Sequence, residues 1–145
     1  MSASAVSVAP AQRRLGRSIG AVFAGLLVVV VLSIATDKVL ESTGIFPAIG
    51  QPLNDRLLVL ATAYRTIFGL LGAYATALLA PHRPMQHALI LGVVGVVLAT
   101  IGAVIMWNDT VSIDHHWYSI ALVVLAIPQS WAGGQARVIQ SRAAR

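Results

Sequence analysis

Arg65 has the type and setting that most clearly suggest chemistry, because it is the only charged residue in the stretch 57–80. A guanidinium keeps its charge and offers five hydrogen-bond donors in one plane. Inside a membrane helix, an arginine costs about 2.5–3.5 kcal/mol on the insertion scale, so it should face other helices and be paired. We predict that Arg65 is a structural clamp or, alternatively, a site for an anionic ligand or lipid headgroup.

Asp37 is the acidic residue predicted to pair with Arg65. If residues 18–42 and 57–80 form adjacent antiparallel helices, a rise of 1.5 Å per residue places Arg65 about 24 Å and Asp37 about 30 Å from the same end. An arginine side chain that extends toward the membrane boundary bridges this gap of about 6 Å. The competing acidic residues are Glu41, Asp55 and Asp109.

Further polar groups are predicted near the same depth. Pro128 has no N–H, so the carbonyl group of Val124 loses its helical hydrogen bond and becomes a second candidate acceptor for Arg65. Tyr64 and Gln129 add a hydroxyl and an amide. The candidate ligand-binding residues are Asp37, Tyr64, Arg65 and Gln129.

A weak candidate metal site lies in the segment DTVSIDHH, in which Asp114, His115 and His116 carry carboxylate and imidazole groups. These groups bind Zn²⁺ or Ni²⁺, but adjacent histidines are not a standard ligand spacing, so solvated loop residues are the preferred interpretation. The chain has no cysteine, which excludes disulfides and thiolate sites. It also lacks a nucleophilic triad, a phosphate-binding loop and a dinucleotide fingerprint. We therefore expect no cofactor and no enzymatic activity.

The elements that position these residues are predicted to be membrane helices. The chain is 57% hydrophobic and only 10% charged, with a mean hydropathy of +0.81, whereas soluble domains contain about 25% charged residues. Each of four apolar stretches approaches the roughly 20 residues that cross a bilayer, and none alternates like a strand. The sequence predicts one all-α integral membrane domain over residues 1–145, a four-transmembrane-helix bundle with a disordered tail at residues 1–15. The predicted spans are about 18–42, 53–80, 86–107 and 117–136.

The basic residues predict the orientation of the bundle. Only Lys38 and Arg56 lie on the side of the first long loop, and the positive-inside rule therefore places both termini in the cytoplasm. This distribution explains the net charge of +5 without nucleic acid. The basic residues on the predicted cytoplasmic side are Arg13, Arg14, Arg17, Arg83, Arg137, Arg142 and Arg145. The predicted interfacial aromatic residues are Trp107, Trp117 and Tyr118 outside and Trp131 inside.

Small residues at intervals of four predict close helix packing, within the bundle or between copies of the chain, because close backbone approach is an important source of association energy in lipid. A narrow cavity lined by the same residues is the alternative. An alternative for the first apolar stretch is a cleaved signal peptide, because a basic segment precedes it and small residues follow it. The small-residue sets are Gly16, Gly20 and Ala24; Gly69, Ala73 and Ala77; and Gly95, Ala99 and Ala103.

The long loop after the first helix contains apolar residues between charged ones. Gly44 is predicted to stop the first helix near Ser42, and Pro52 to open the second. The loop is expected to be an interfacial connector, with a lid over the bundle as the alternative.

The chain resembles a group of small bacterial four-span inner-membrane proteins of unassigned function. The resemblance rests on the motifs ATD (35–37), ATAYR (61–65), LAPHRPMQHA (79–88) and WY (117–118). It implies a bacterial inner membrane but no activity. We expect a non-enzymatic accessory subunit or oligomeric scaffold with a buried Asp–Arg clamp. The alternative is a small transporter or a lipid- or anion-binding protein that uses the Asp37–Arg65 region, and a cavity reaching Arg65 would favour it.

Overall fold

The computed structural model describes residues 9–48, 50–108 and 116–144, with side chains from Leu15 onward. All the regular structure in these ranges is helical, as the sequence predicts, and they contain no strand. The helices are α1 (Ala9–Ser42), α2 (Asp55–Leu79), α3 (Pro84–Met106) and α4 (His116–Ala143).

Three of the helices are long and apolar enough to cross a membrane: α1 from Leu15 onward, α2 and α3. This finding supports the predicted class of membrane protein. The fourth helix has 28 residues, which is enough length for a bilayer. It is less apolar than α3, however, and contains Pro128 in its interior.

Two helices extend beyond their predicted ends. α1 begins at Ala9, within the segment 1–15 that the sequence predicts to be a disordered tail. Alanine, glutamine and arginine have high helix propensity, and a proline in the first turn is tolerated, which explains the early start. α4 continues to Ala143, past the predicted end at residue 136.

The end of α1 has the predicted glycine stop. Gly44 has a φ of 74°, in the left-handed region that favours glycine. Its N–H donates to the carbonyl of Glu41, and the N–H of Ile45 donates to the carbonyl of Leu40, each at 3.0 Å. These two bonds form a Schellman motif, which satisfies the last carbonyls of the helix.

The start of α2 differs from the prediction that Pro52 opens it. The helix begins at Asp55, and the side-chain oxygen of Asn54 accepts a hydrogen bond from the N–H of Leu57 at 3.1 Å. Asparagine is among the most favourable N-cap residues because it satisfies a free N–H of the first turn. The cap, rather than the proline, therefore sets the boundary.

The helices run alternately up and down. Gly25 of α1 lies opposite Gly72 of α2, whereas Asp37 lies opposite Arg65, so these two helices are antiparallel. α2 contacts all three other helices, while among the described residues no Cα atom of α1 lies within 8 Å of one in α4. We call the end with the α1–α2 loop (residues 43–54) the loop end, and the end with the α2–α3 turn (residues 80–83) the turn end.

Packing is tight toward the turn end. A Cβ added to Gly72 would lie only 2.7 Å from the carbonyl oxygen of Gly25, so only glycine permits the two backbones to approach this closely. Such small-residue contacts are a main source of helix association in lipid. The buried core of this half consists of Ala73, Ala77, Ala88 and Leu91.

The small-residue predictions have mixed outcomes. Gly69, Ala73 and Ala77 of α2 are buried, as predicted. Gly16 and Gly20 of α1 do not contact the other helices of the bundle, because a Cβ at either would meet no atom within 4 Å, and packing of this face against a second copy stays a prediction. The α1 contact instead uses Gly25, which lies on a different face of the helix.

The bundle opens toward the loop end. All the buried residues of α3 lie in its first half, between His87 and Gly92. In its second half, Gly102 has no neighbour within 4 Å of an added Cβ, and Val104 and Ile105 are exposed. The helices that pack closely at the turn end therefore leave a space between them at the loop end.

Candidate ligand-binding cavity

A cavity of about 690 Å³ fills the space between the helices at the loop end. One face of α1, from Ile34 to Glu41, lines it on one side, and one face of α3, from Leu98 to Met106, lines it on another. α2 and α4 complete the wall. Its volume lies within the range of about 300–1,000 Å³ that is typical of small-molecule sites.

Asp37 and Arg65 form an ion pair in the wall of this cavity. Arg65 Nη2 donates a hydrogen bond to Asp37 Oδ2 at 2.8 Å, and the hydroxyl of Tyr64 donates to Asp37 Oδ1. The pairing predicted from helix depth is thus present, and both carboxylate oxygens are engaged. Each of the two charged side chains is 34% exposed, so the pair is not sealed in a dry core.

The competing carboxylates within the described residues have other partners. Glu41 forms an ion pair with Lys38 at 2.8 Å, one turn along the same helix face. Asp55 accepts a hydrogen bond from the indole N–H of Trp117 at 2.9 Å. Asp109 lies outside the described residues.

One further aromatic residue lines the cavity with Arg65, and one donor of Arg65 itself has no partner in the part of the chain that the structure describes. Tyr118, which is predicted from the sequence to belong to an outer aromatic belt, instead lines the same cavity as Arg65. Adjacent Trp117 is exposed, and nothing in the residue types WY identifies which ring faces inward. Arg65 Nε is buried and has no hydrogen-bond partner among the described residues, so the guanidinium retains unused donor capacity.

The structure does not bring Gln129 to the Asp37–Arg65 pair. Gln129 packs against Gly69, one helical turn further from the loop end than Arg65. It lines a second cavity of about 50 Å³ with Ser130 and several apolar residues. The binding set predicted from the sequence is therefore split between two cavities.

The Val124 carbonyl is not the second acceptor for Arg65. No hydrogen bond joins Arg65 to this carbonyl within the described residues, and the Val124 side chain is 63% exposed. Ala126, two positions away, is buried. At 3.6 residues per turn, Val124 lies roughly 200° around the helix from Ala126 and so faces away from the bundle.

The α1–α2 loop covers the end of the cavity. Phe46 is 9% exposed and lines the cavity, whereas its neighbour Ile45 is 51% exposed. Pro47, Leu53 and other loop residues line it as well. These contacts favour the lid interpretation over that of a simple connector.

The weak metal candidate receives no support from the described residues. Asp114 and His115 lie outside them. The His116 ring stacks on Trp107 with 4.1 Å between ring centroids, and its Nε2 lies 3.2 Å from the Trp107 carbonyl oxygen. In the part of the chain that the structure describes, no group of three potential ligand residues could hold a metal ion.

Comparisons of the chain with protein-family models, with curated protein sequences and with solved structures found no match. The resemblance to small bacterial inner-membrane proteins therefore stays a prediction. Because a fold alone does not determine a function, the function has to be argued from the geometry and chemistry of the cavity.

Proposed function

We propose that this protein is a four-span membrane protein that binds an amphiphilic ligand in the loop-end cavity. The observation that carries the proposal is the exposure of the Asp37–Arg65 pair to a cavity of about 690 Å³. A pair that served only as a clamp would be expected to lie in dry packing, because water weakens an ion pair. The alternative of an accessory or scaffold subunit remains, but it assigns no role to the cavity.

The fourth span is supported by the contacts of α4 at both ends of the bundle. At the loop end, Trp117 is bonded to Asp55, the first residue of α2. At the turn end, Gly134 lies against Met85 and Ala88 in the first turns of α3. A helix that extends beside α3 from one end to the other crosses the same layer as α3.

The orientation follows from charge. The basic residues Arg17, Arg83, Arg137 and Arg142 belong to the turn end, while the loop end has Lys38 and Arg56. By the positive-inside rule the turn end is cytoplasmic. The cavity then opens in the outer half of the membrane. We assign the protein to a bacterial inner membrane on the strength of the sequence resemblance.

The position of the cavity favours a ligand that reaches it from the lipid. α1 and α3 contact each other toward the turn end, where Val22 and Leu26 pack against the core that contains Ala88 and Leu91. Toward the loop end, the same two helices present cavity-lining faces. A gap between neighbouring helices gives an apolar chain a route from the bilayer, while the charged pair accepts a polar headgroup.

Native mass spectrometry of the protein released from lipid nanodiscs tests the proposal. We expect a bound lipid that survives mild activation. Ala99→Phe places a ring in the cavity wall and should abolish this adduct. Ala35→Phe makes the same change at an exposed position of α1 that does not line the cavity, and it should retain the adduct. The proposal fails if the native protein carries no specific adduct, or if both variants retain it equally.

A further inference from the structure

The charged residues that line the cavity include both signs. Asp37, Lys38 and Glu41 extend from α1, and Arg65 extends from α2. Two acidic and two basic side chains give the described wall a net charge of zero. They form two ion pairs with N–O distances of 2.8 Å each, Asp37–Arg65 and Lys38–Glu41.

We propose that the ligand headgroup is zwitterionic, with a primary ammonium that binds Asp37 and Glu41 and a phosphate that binds Arg65 and Lys38. The inference rests on the proposed ligand-binding function of the cavity. It specifies the headgroup, which the volume and apolar walls of the cavity do not determine.

Charge balance favours a headgroup that carries both signs. A purely anionic group that binds Arg65 adds a negative charge beside Asp37, so the charges that line the cavity no longer cancel. A charge without a counter-charge in a partly buried site is unfavourable. A zwitterion replaces both partners at once, since its phosphate takes the guanidinium and its ammonium takes the carboxylate. No charge is then left unpaired.

Hydrogen-bonding capacity points to the same headgroup. The Arg65 side chain is 34% exposed, and a guanidinium offers a planar set of donors that matches phosphate oxygens. A primary ammonium has three N–H donors, which two carboxylates can accept. Tyr118 and Ser119, which carry hydroxyl groups, are also among the residues that line the cavity.

The four charged side chains that line the cavity also differ in their solvent exposure. The Lys38 side chain is 61% exposed and that of Glu41 is 23% exposed, whereas Arg65 and Asp37 lie at 34% each. Lys38 is therefore the group that can most easily leave its partner. An arriving ammonium can replace it at Glu41 while Lys38 turns to the phosphate. When the ammonium replaces Lys38 as the partner of Glu41, the headgroup gains a path to the Asp37–Arg65 pair.

Three short-chain lipids with identical tails test the proposal in detergent, with thermal stabilisation as the readout of binding. The probes are dihexanoyl-phosphatidylethanolamine, dihexanoyl-phosphatidylglycerol and uncharged dihexanoylglycerol. We expect the ethanolamine lipid to bind about tenfold more tightly than either of the others, a difference of about 1.4 kcal/mol. Glu41→Gln should reduce this preference. Asp55→Asn, which changes an acidic residue outside the cavity lining, should leave the preference intact.

The outcomes separate the two proposals. If dihexanoyl-phosphatidylglycerol bound as tightly as the ethanolamine lipid or more tightly, the zwitterionic headgroup would be overturned and the ligand-binding function would stay in place. Equal binding of uncharged dihexanoylglycerol would also overturn it, because the apolar walls alone would then account for binding. Absence of binding by all three probes would overturn the ligand-binding function itself. A preference unchanged by Glu41→Gln would contradict the assigned ammonium site.

Discussion

Gly133 of α4 lies directly against the backbone of α2, so that a Cβ added to it would be 2.9 Å from the Cβ of Ala73 and 2.9 Å from the backbone nitrogen of Tyr74. Real Cβ atoms essentially never approach other atoms this closely. The backbone of α2 cannot rotate away as a flexible side chain could. The contact therefore fixes the separation of the two helices at the turn end.

Gly133→Ala should destabilise the protein, because the added methyl group forces α2 and α4 apart. Overpacking of this kind costs about 1–3 kcal/mol. Gly20→Ala is the matched control, since a Cβ there meets nothing within 4 Å. The measurement is the melting temperature of both variants in the same detergent. If Gly133→Ala had the same melting temperature as Gly20→Ala, the close contact between α2 and α4 would be contradicted.

Phe46→Ala should loosen the α1–α2 loop over the cavity, because Phe46 is a buried side chain that anchors it. A lid weakened by about 1.4 kcal/mol opens about tenfold more often. The readout is the rate at which an impermeant thiol reagent modifies Ala103→Cys in the cavity wall. The native chain has no cysteine that would interfere.

Ile45→Ala is the control for this experiment, because Ile45 is adjacent to Phe46 but exposed. It should leave the rate of cavity labelling unchanged. Equal acceleration in both variants would mean that the loop as a whole, and not the Phe46 anchor, governs access.

The proposed topology predicts that the reagent modifies Ser112→Cys but not Ser4→Cys on intact cells. In the sequence, Ser112 falls between α3 and α4, and Ser4 precedes α1. Permeabilised cells, in which both positions should react, provide the control. Modification at Ser4 with protection at Ser112 would reverse the orientation.

The Asp37–Arg65 pair could be predicted from sequence because it depends on quantities that a sequence fixes well. Helix rise per residue is constant, and helices joined by a loop of moderate length are usually neighbours. The depth of each residue along its helix and the adjacency of the first two helices together selected Asp37 from the candidate carboxylates. The stop at Gly44 could be predicted for a different reason, because it depends only on local backbone preferences.

Features that depend on helix rotation and spacing could not be predicted. Depth alone favoured the Val124 carbonyl and Gln129, but Val124 faces outward and Gln129 lies against Gly69. The stripe at Gly16 and Gly20 has the same spacing as the one in α2, yet only the latter is covered. The cavity and the inward position of Tyr118 follow from the separation of the helices at the loop end, which no residue pattern encodes.

The final prediction concerns the energy of the Asp37–Arg65 pair. Asp37→Asn should destabilise the protein more than Arg65→Leu, because it leaves a guanidinium with only neutral acceptors. The double variant should recover part of the loss, since neither charge is then unpaired. We expect a coupling energy above about 1 kcal/mol from thermal stability in nanodiscs, whereas the more exposed Lys38–Glu41 pair should stay below it. Additive losses for Asp37 and Arg65 would show that they do not stabilise each other. A double variant that is stable but has lost its bound lipid would identify the pair as a binding site rather than a clamp.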